Sequence, residues 1–159
     1  MLLPLRLTHC SIYACSCCTC AQVAGNGFVF GAYTHCAWTI LVSAIVADPS
    51  GRSFLFSLVN ATGKAVRFSL RHQDSAVQLA GRCLSFGSYV EDANGAVLAR
   101  PNFTLMHAGR AVDRAQGNFA RAIDALSSYQ HHDGIDDYSD SFLAGREYFA
   151  AAEIEVYQL

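Results

Sequence analysis

Proline and charge are both scarce in this chain: 3 Pro in 159 residues, and 15% Asp, Glu, Lys and Arg. That balance excludes disordered and collagen-like classes and leaves an ordinary globular domain. An unbroken apolar run of about 18 residues is missing, so no membrane-spanning helix is expected. Surplus basic charge is missing too. Eleven basic and 13 acidic residues give a net charge of −2, without the basic footprint of nucleic-acid binders, and no nucleic-acid partner is expected. Finally, the chain lacks the G-x-S-x-G elbow, the H-E-x-x-H helix and the P-loop. His35 and Cys36 are adjacent, but neighbours on a strand point to opposite faces, which argues against a nucleophile and base. No catalytic residue, cofactor or metal ligand is assigned.

What is abundant is apolar: 52% of the residues are hydrophobic. A chain of this size buries roughly 68–70% of its unfolded surface and needs no metal or disulfide framework. The seven cysteines are an odd count, and Cys10, Cys15, Cys17, Cys18 and Cys20 crowd into one short stretch. Their C-x-C-C-x-C spacing lacks the second half of a zinc site. Residues 1–24 are expected to be a poorly ordered, Cys-rich head with reduced thiols, ahead of a domain over 25–159; reversible lipidation is an alternative. Ala21-Gln22-Val23-Ala24 loosely resembles a secretory cleavage site, although His9, Ser11, Ser16 and Thr19 interrupt the apolar region it would need. The sequons at Asn60 and Asn102 would matter only under that secreted alternative.

Charge is uneven along the chain. Residues 1–132 carry ten basic and six acidic groups, whereas residues 133–159 carry seven acidic groups against Arg146 alone, a net of +4 followed by −6. Asp133, Asp136, Asp137 and Asp140 are candidate partner-binding residues that could steer a basic partner, the plainer reading being a solvated loop. The same stretch misses the calcium-loop spacing. His131 and His132 beside these carboxylates leave an enzyme with an unrecognised site as the alternative function.

Alternation and turn chemistry order the rest. Residues 28–33 read as a strand whose glycines mark turns or bulges and do not cradle phosphate. Trp38–Val46 reads as another, ending at the turn Asp48-Pro49-Ser50-Gly51. Residues 53–71 read as a β-hairpin, 74–80 as two helical turns ending at Gly81, and 102–107 as a strand. Helical spacing of Val112, Ala115, Phe119, Ala122, Ile123 and Leu126 predicts an amphipathic helix over 111–127. Residues 153–159 read as a strand that ends inside a sheet. The expected core is Phe30, Trp38, Phe54, Phe56, Leu58, Phe68, Phe103, Leu105, Phe149, Ile154 and Val156.

Several segments, in order, resemble the TLDc domain family over residues 27–159. They are Gly27-Phe28-Val29-Phe30-Gly31-Ala32-Tyr33 with Trp38, then Phe54-Leu55-Phe56, then Phe86-Gly87, then Ile154-Glu155-Val156-Tyr157. Gly27, Phe30, Gly31, Tyr33, Trp38, Phe54, Phe56, Phe86, Gly87, Glu155 and Tyr157 are the structural motif positions. Two features depart from the family pattern: the Cys-rich head stands where more domain sequence is usual, as in an N-terminally truncated domain, and the helix over 111–127 resembles an insertion. The resemblance implies an α+β fold, two packed antiparallel β-sheets forming a sandwich with a few helices, and no established catalytic activity. It further implies a cytoplasmic, non-catalytic interaction domain linked to oxidative-stress resistance, with vacuolar proton ATPase subunits as a possible protein partner.

Overall fold

The computed structural model describes residues 5–6, 18–24, 26–36, 44–80, 83–99, 102–106, 118–120, 128–131, 142–146, 148–149 and 151–158. These are mostly antiparallel β-structure. In chain order the strands are β1 (Leu5–Arg6), β2 (Cys18–Ala24), β3 (Val29–Thr34), β4 (Ala44–Val46), β5 (Phe54–Val59), β6 (Val66–Leu70), β7 (Val77–Ala80) and β8 (Cys83–Phe86). There follow β9 (Val90–Glu91), β10 (Val97–Ala99), β11 (Phe103–Met106), β12 (Asn118–Ala120), β13 (Tyr129–His131), β14 (Tyr148–Phe149) and β15 (Ala151–Gln158). Among the described residues the helical element is a 3-10 turn, Gln73–Ser75. A seven-stranded sheet runs β1-β15-β2-β3-β5-β6-β13, a six-stranded sheet runs β14-β12-β11-β8-β7-β4, and β9 pairs with β10.

The expected hairpin forms as β5 and β6, with Leu55 opposite Phe68 and Phe54 opposite Ser69. On β6 the period of two sorts the faces cleanly: Val66, Phe68 and Leu70 are buried, Arg67 is exposed and Ser69 half-buried. On β5 the expected core face is corrected. Leu55 and Ser57 are the buried residues, Phe54 and Phe56 are only half-buried, and Leu58 is 53% exposed. This strand is apolar on both faces, so alternation could not choose between them. Pairing with β3 chooses: Leu55 lies opposite Ala32 and Ser57 opposite Phe30, both fully buried, while Phe56 and Phe54 lie opposite Gly31 and Tyr33.

Three further expectations are revised. Cys18–Ala24, read as part of a poorly ordered head, is an interior strand pairing with β15 and β3, Cys20 lying opposite both Val156 and Ala32. Its residues are small and uncharged, so they raise no strong periodic signal, yet they fit a ladder with neighbours on both sides. Cys10, Cys15 and Cys17 lie outside the described residues. Residues 74–80 do not make the expected two helical turns: only Asp74 and Ser75 belong to a helical element, the 3-10 turn. After the 3-10 turn, Val77–Ala80 is a strand between β4 and β8, where ladder pairing overrides a weak local helix signal. Within the expected helix over 111–127, Asn118–Ala120 is instead a strand joining β11 to β14; the remainder lies outside the described residues. The strand expectations for 28–33, 102–107 and the chain end hold as β3, β11 and β15, and that for Trp38–Val46 holds for Ala44–Val46.

One buried cluster draws on both larger sheets, including Phe30, Ala32, Leu55, Phe68 and Tyr129 from the first, and Val77, Phe86 and Phe149 from the second. Phe30 meets Phe149 edge-to-face at 5.3 Å, and Phe68 meets Phe142 in the same way at 5.7 Å. Phe30, Phe68 and Phe149 therefore occupy the core as expected. The side chains of Phe103, Leu105, Ile154 and Val156, and all of Trp38, lie outside the described residues.

The two faces of β5 should respond differently to truncation. Leu55→Ala should cost about 2–5 kcal/mol, because it opens a cavity in the shared core. Leu58→Ala should stay within about 0.5 kcal/mol. Urea denaturation of both variants checks this, and equal losses would contradict the observed face assignment.

Candidate functional site

The turn before β5 contains the most densely bonded carboxylate among the described residues. Pro at the second turn position and Gly51 at φ +64° suit the Asp48-Pro49-Ser50-Gly51 turn, which closes by Gly51 N donating to Asp48 O at 3.0 Å. Asp48 is 2% exposed. Its Oδ1 accepts from the Ser50 amide at 3.0 Å and hydroxyl at 2.5 Å, and its Oδ2 from the Ser53 amide at 2.7 Å and hydroxyl at 2.6 Å. Four donors fill the four acceptor positions of a carboxylate. The group is thereby an anchor for the turn, with no lone pair left over for proton abstraction.

Ser53 passes this anchoring on to β3. Its hydroxyl donates to Asp48 and accepts from the His35 amide at 3.1 Å, and the half-buried Cys36 places Sγ 4.0 Å from the same oxygen. Asp, Ser, His and Cys thus gather here. The His35 ring faces the Tyr33 hydroxyl, Nδ1 to OH 3.2 Å, while the Ser53 proton is directed to Asp48. On the far side the Asp48 amide donates to Gln73 O at 2.7 Å, tying the turn to the 3-10 segment.

That segment leads to a second buried polar group around Ser128 and Tyr129. Ser128 O accepts from the amides of Arg71 and His72, and its hydroxyl lies 3.0 Å from Ser75 Oγ. Tyr129 is fully buried; its amide donates to Asn102 Oδ1 at 3.2 Å and its hydroxyl to Ala76 O at 2.7 Å. Burial foremost, with Cys36 and Asp48 adding, pushes the Tyr129 phenol well above its ordinary range.

On the opposite face of the seven-stranded sheet, the motif aromatics form a row. Tyr33 and Phe54 stack at 5.1 Å, Phe54 and Phe56 lie 6.3 Å apart, and the Arg67 guanidinium carbon sits 4.0 Å over the Phe54 ring. The remaining motif residues are dispersed. Phe30 and Phe86 are in the core; Gly31 is in register between Ala21 and Phe56; Gly27 occupies an exposed turn. Gly87 is buried at φ +83°, a backbone conformation side chains rarely adopt. Glu155 pairs in backbone register with Ala21 and Arg6, and Tyr157 with Thr19. Trp38, His132 and the four candidate aspartates Asp133, Asp136, Asp137 and Asp140 lie outside the described residues, and His131 ends β13 opposite Phe68. The structure therefore brings together Tyr33, Phe54 and Phe56, and does not join them to Phe30 or Phe86.

Both sequons turn out to be internal supports. Asn60 donates to Ser57 Oγ and Lys64 O and accepts from the Thr62 amide and hydroxyl, and Asn102 is fully buried beside Tyr129. Among the described residues no three His, Cys, Asp or Glu side chains converge as metal ligands, and no helix is long and apolar enough to cross a membrane.

An antiparallel β-domain with a polar anchor at Asp48 and a row of motif aromatics is the class that this geometry defines. The family model for the TLDc domain matches residues 9–159, and the chain belongs to that family. The match begins ahead of residue 27 and takes in most of the Cys-rich stretch, in keeping with β2 as part of the sheet. No curated protein matches the sequence.

Sequence reasoning read Asp48 only as a turn former. The signal for its larger role was the pair of serines two and five residues on, placed to donate back to a carboxylate just before a buried strand. Burial of Asp48 raises its pKa, but the hydrogen bonds from Ser50 and Ser53 outweigh burial and hold it below the usual carboxylate range. A carboxyl lowered in the folded state stabilises the protein above its unfolded pKa, and that contribution is lost as pH falls through the folded value. Asp48→Asn should cost about 1–3 kcal/mol at pH 7. It should also flatten the decline in stability below about pH 4, where the unfolded carboxyl protonates. Denaturation series at pH 7 and pH 2–4 check this, and parallel pH profiles for the two proteins would contradict it.

Proposed function

We propose that this chain is a non-catalytic protein-interaction domain of the TLDc type, linked to oxidative-stress resistance in the cytoplasm, with vacuolar proton ATPase subunits as candidate partners. The observation that carries the proposal is family membership over residues 9–159. The geometry around Asp48 and Ser53 supports the non-catalytic part, since the polar side chains that gather there are engaged in holding a turn. In this reading the two larger sheets pack face to face as a sandwich across the shared core, and the net −6 segment over 133–159 steers a basic partner surface.

Affinity capture with the intact chain should enrich proton ATPase subunits. Changing Asp133, Asp136, Asp137 and Asp140 to Asn should mainly slow association and reduce its dependence on salt, as expected for steering charges. Peroxide protection that survives loss of every protein partner, yet disappears in a folded His131→Ala, His132→Ala variant, would favour an enzyme.

A further inference from the structure

We propose that the outward face of the β5–β6 hairpin is a docking surface for an acidic peptide segment that also carries an apolar side chain. On β5, Phe54 and Phe56 occupy the face turned away from the core while Leu55 and Ser57 fill the inner one, and Leu58 follows at an irregularity in the pairing with β3. An antiparallel strand with one face to water ordinarily presents polar residues there. Here the outward positions are large and apolar, and Leu58 is 53% exposed.

Charge then selects the partner. Residues 49–73 contain Arg52, Lys64, Arg67 and Arg71 and no Asp or Glu. Arg52, Lys64 and Arg67 are exposed. Arg67 is also pre-positioned. Its guanidinium carbon lies 4.0 Å over the Phe54 ring, which holds a cation at the apolar face, and a guanidinium is the side chain suited to bidentate recognition of a carboxylate. No carboxylate among the described residues pairs with it. A neutral apolar occupant would leave the exposed Arg67 without a counter-charge, and a basic one would be repelled; an acidic segment with one apolar anchor answers both features of the face.

The residues invoked here, Arg67 and Leu58, are different from the aspartates at 133–140 invoked above, so the two interaction readings can fail separately. The test presents a phage-displayed random peptide library to the intact chain and measures the most enriched peptide by fluorescence anisotropy. Enriched peptides should carry Asp or Glu beside a large apolar residue. Replacing their acids by Asn or Gln should weaken binding, and so should added salt. Arg67→Gln should weaken binding about tenfold. Leu58→Ser should weaken it too, with urea midpoints close to the parent, since both positions are exposed. The Asp→Asn changes at 133, 136, 137 and 140 should leave peptide affinity unchanged. Failure to enrich any peptide, enrichment of neutral or basic ones, or unchanged affinity in folded Arg67→Gln would overturn the proposal. Sedimentation showing a dimer that Arg67→Gln dissociates would overturn it in favour of a second copy of the chain.

Discussion

Among the described residues, the fully buried Tyr129 sets the constraint on which its neighbours depend. Its ring is fully buried in the cluster shared by the two larger sheets, and a buried hydroxyl is costly unless hydrogen-bonded. The bond to Ala76 O supplies that partner and fixes how β13, in one sheet, meets the segment leading into β7, in the other. Neighbouring contacts follow from this placement. Ser128 is brought within reach of the Arg71 and His72 amides and of Ser75, and Asn102 is brought to the Tyr129 amide. The 3-10 turn is held from one end by these bonds and from the other by Asp48, so the hairpin base and the second sheet share one polar seam.

How much of this could be read from the sequence depended on whether each strand had two unlike faces. On β6, Val66, Phe68 and Leu70 alternate with Arg67 and Ser69, so the buried face follows from the pattern, although of the three only Phe68 was expected in the core. On β5 both faces are apolar, so the strand was legible and its orientation was not; the partners Phe30 and Ala32 decide it, and they are more than twenty residues away in the chain. The small residues of β2 gave no hydrophobic period at all, and its place in the sheet comes from neighbours at both ends of the chain. The short strands Val77–Ala80 and Asn118–Ala120 fell within apparent helical spacing, where a few residues cannot distinguish the two periods.

The candidate site was legible as a set of motif positions but not as an arrangement. Phe30 and Phe54 belong to the same motif series, yet register sends the first to the core and the second to the outer face. Arg67 was visible only as a polar member of an alternating strand; its meaning arises from lying over an aromatic ring contributed by the adjacent strand. Asp48 is a similar case, since a turn residue becomes an anchor only when two later serines fold back onto it.

Under the secreted alternative, the two sequon asparagines would set an order of events in synthesis. The Asn60 amide nitrogen already holds Ser57 and Lys64, and Asn102 is enclosed beside Tyr129. A transferase meeting the finished domain would find neither nitrogen accessible. Sugar could therefore be attached only while the chain is still unfolded, and a chain so modified would have to accommodate a bulky polar group where the hairpin turn and the central core close. Under the secreted alternative, glycan addition and completion of the fold would be competing fates of the same nascent chain.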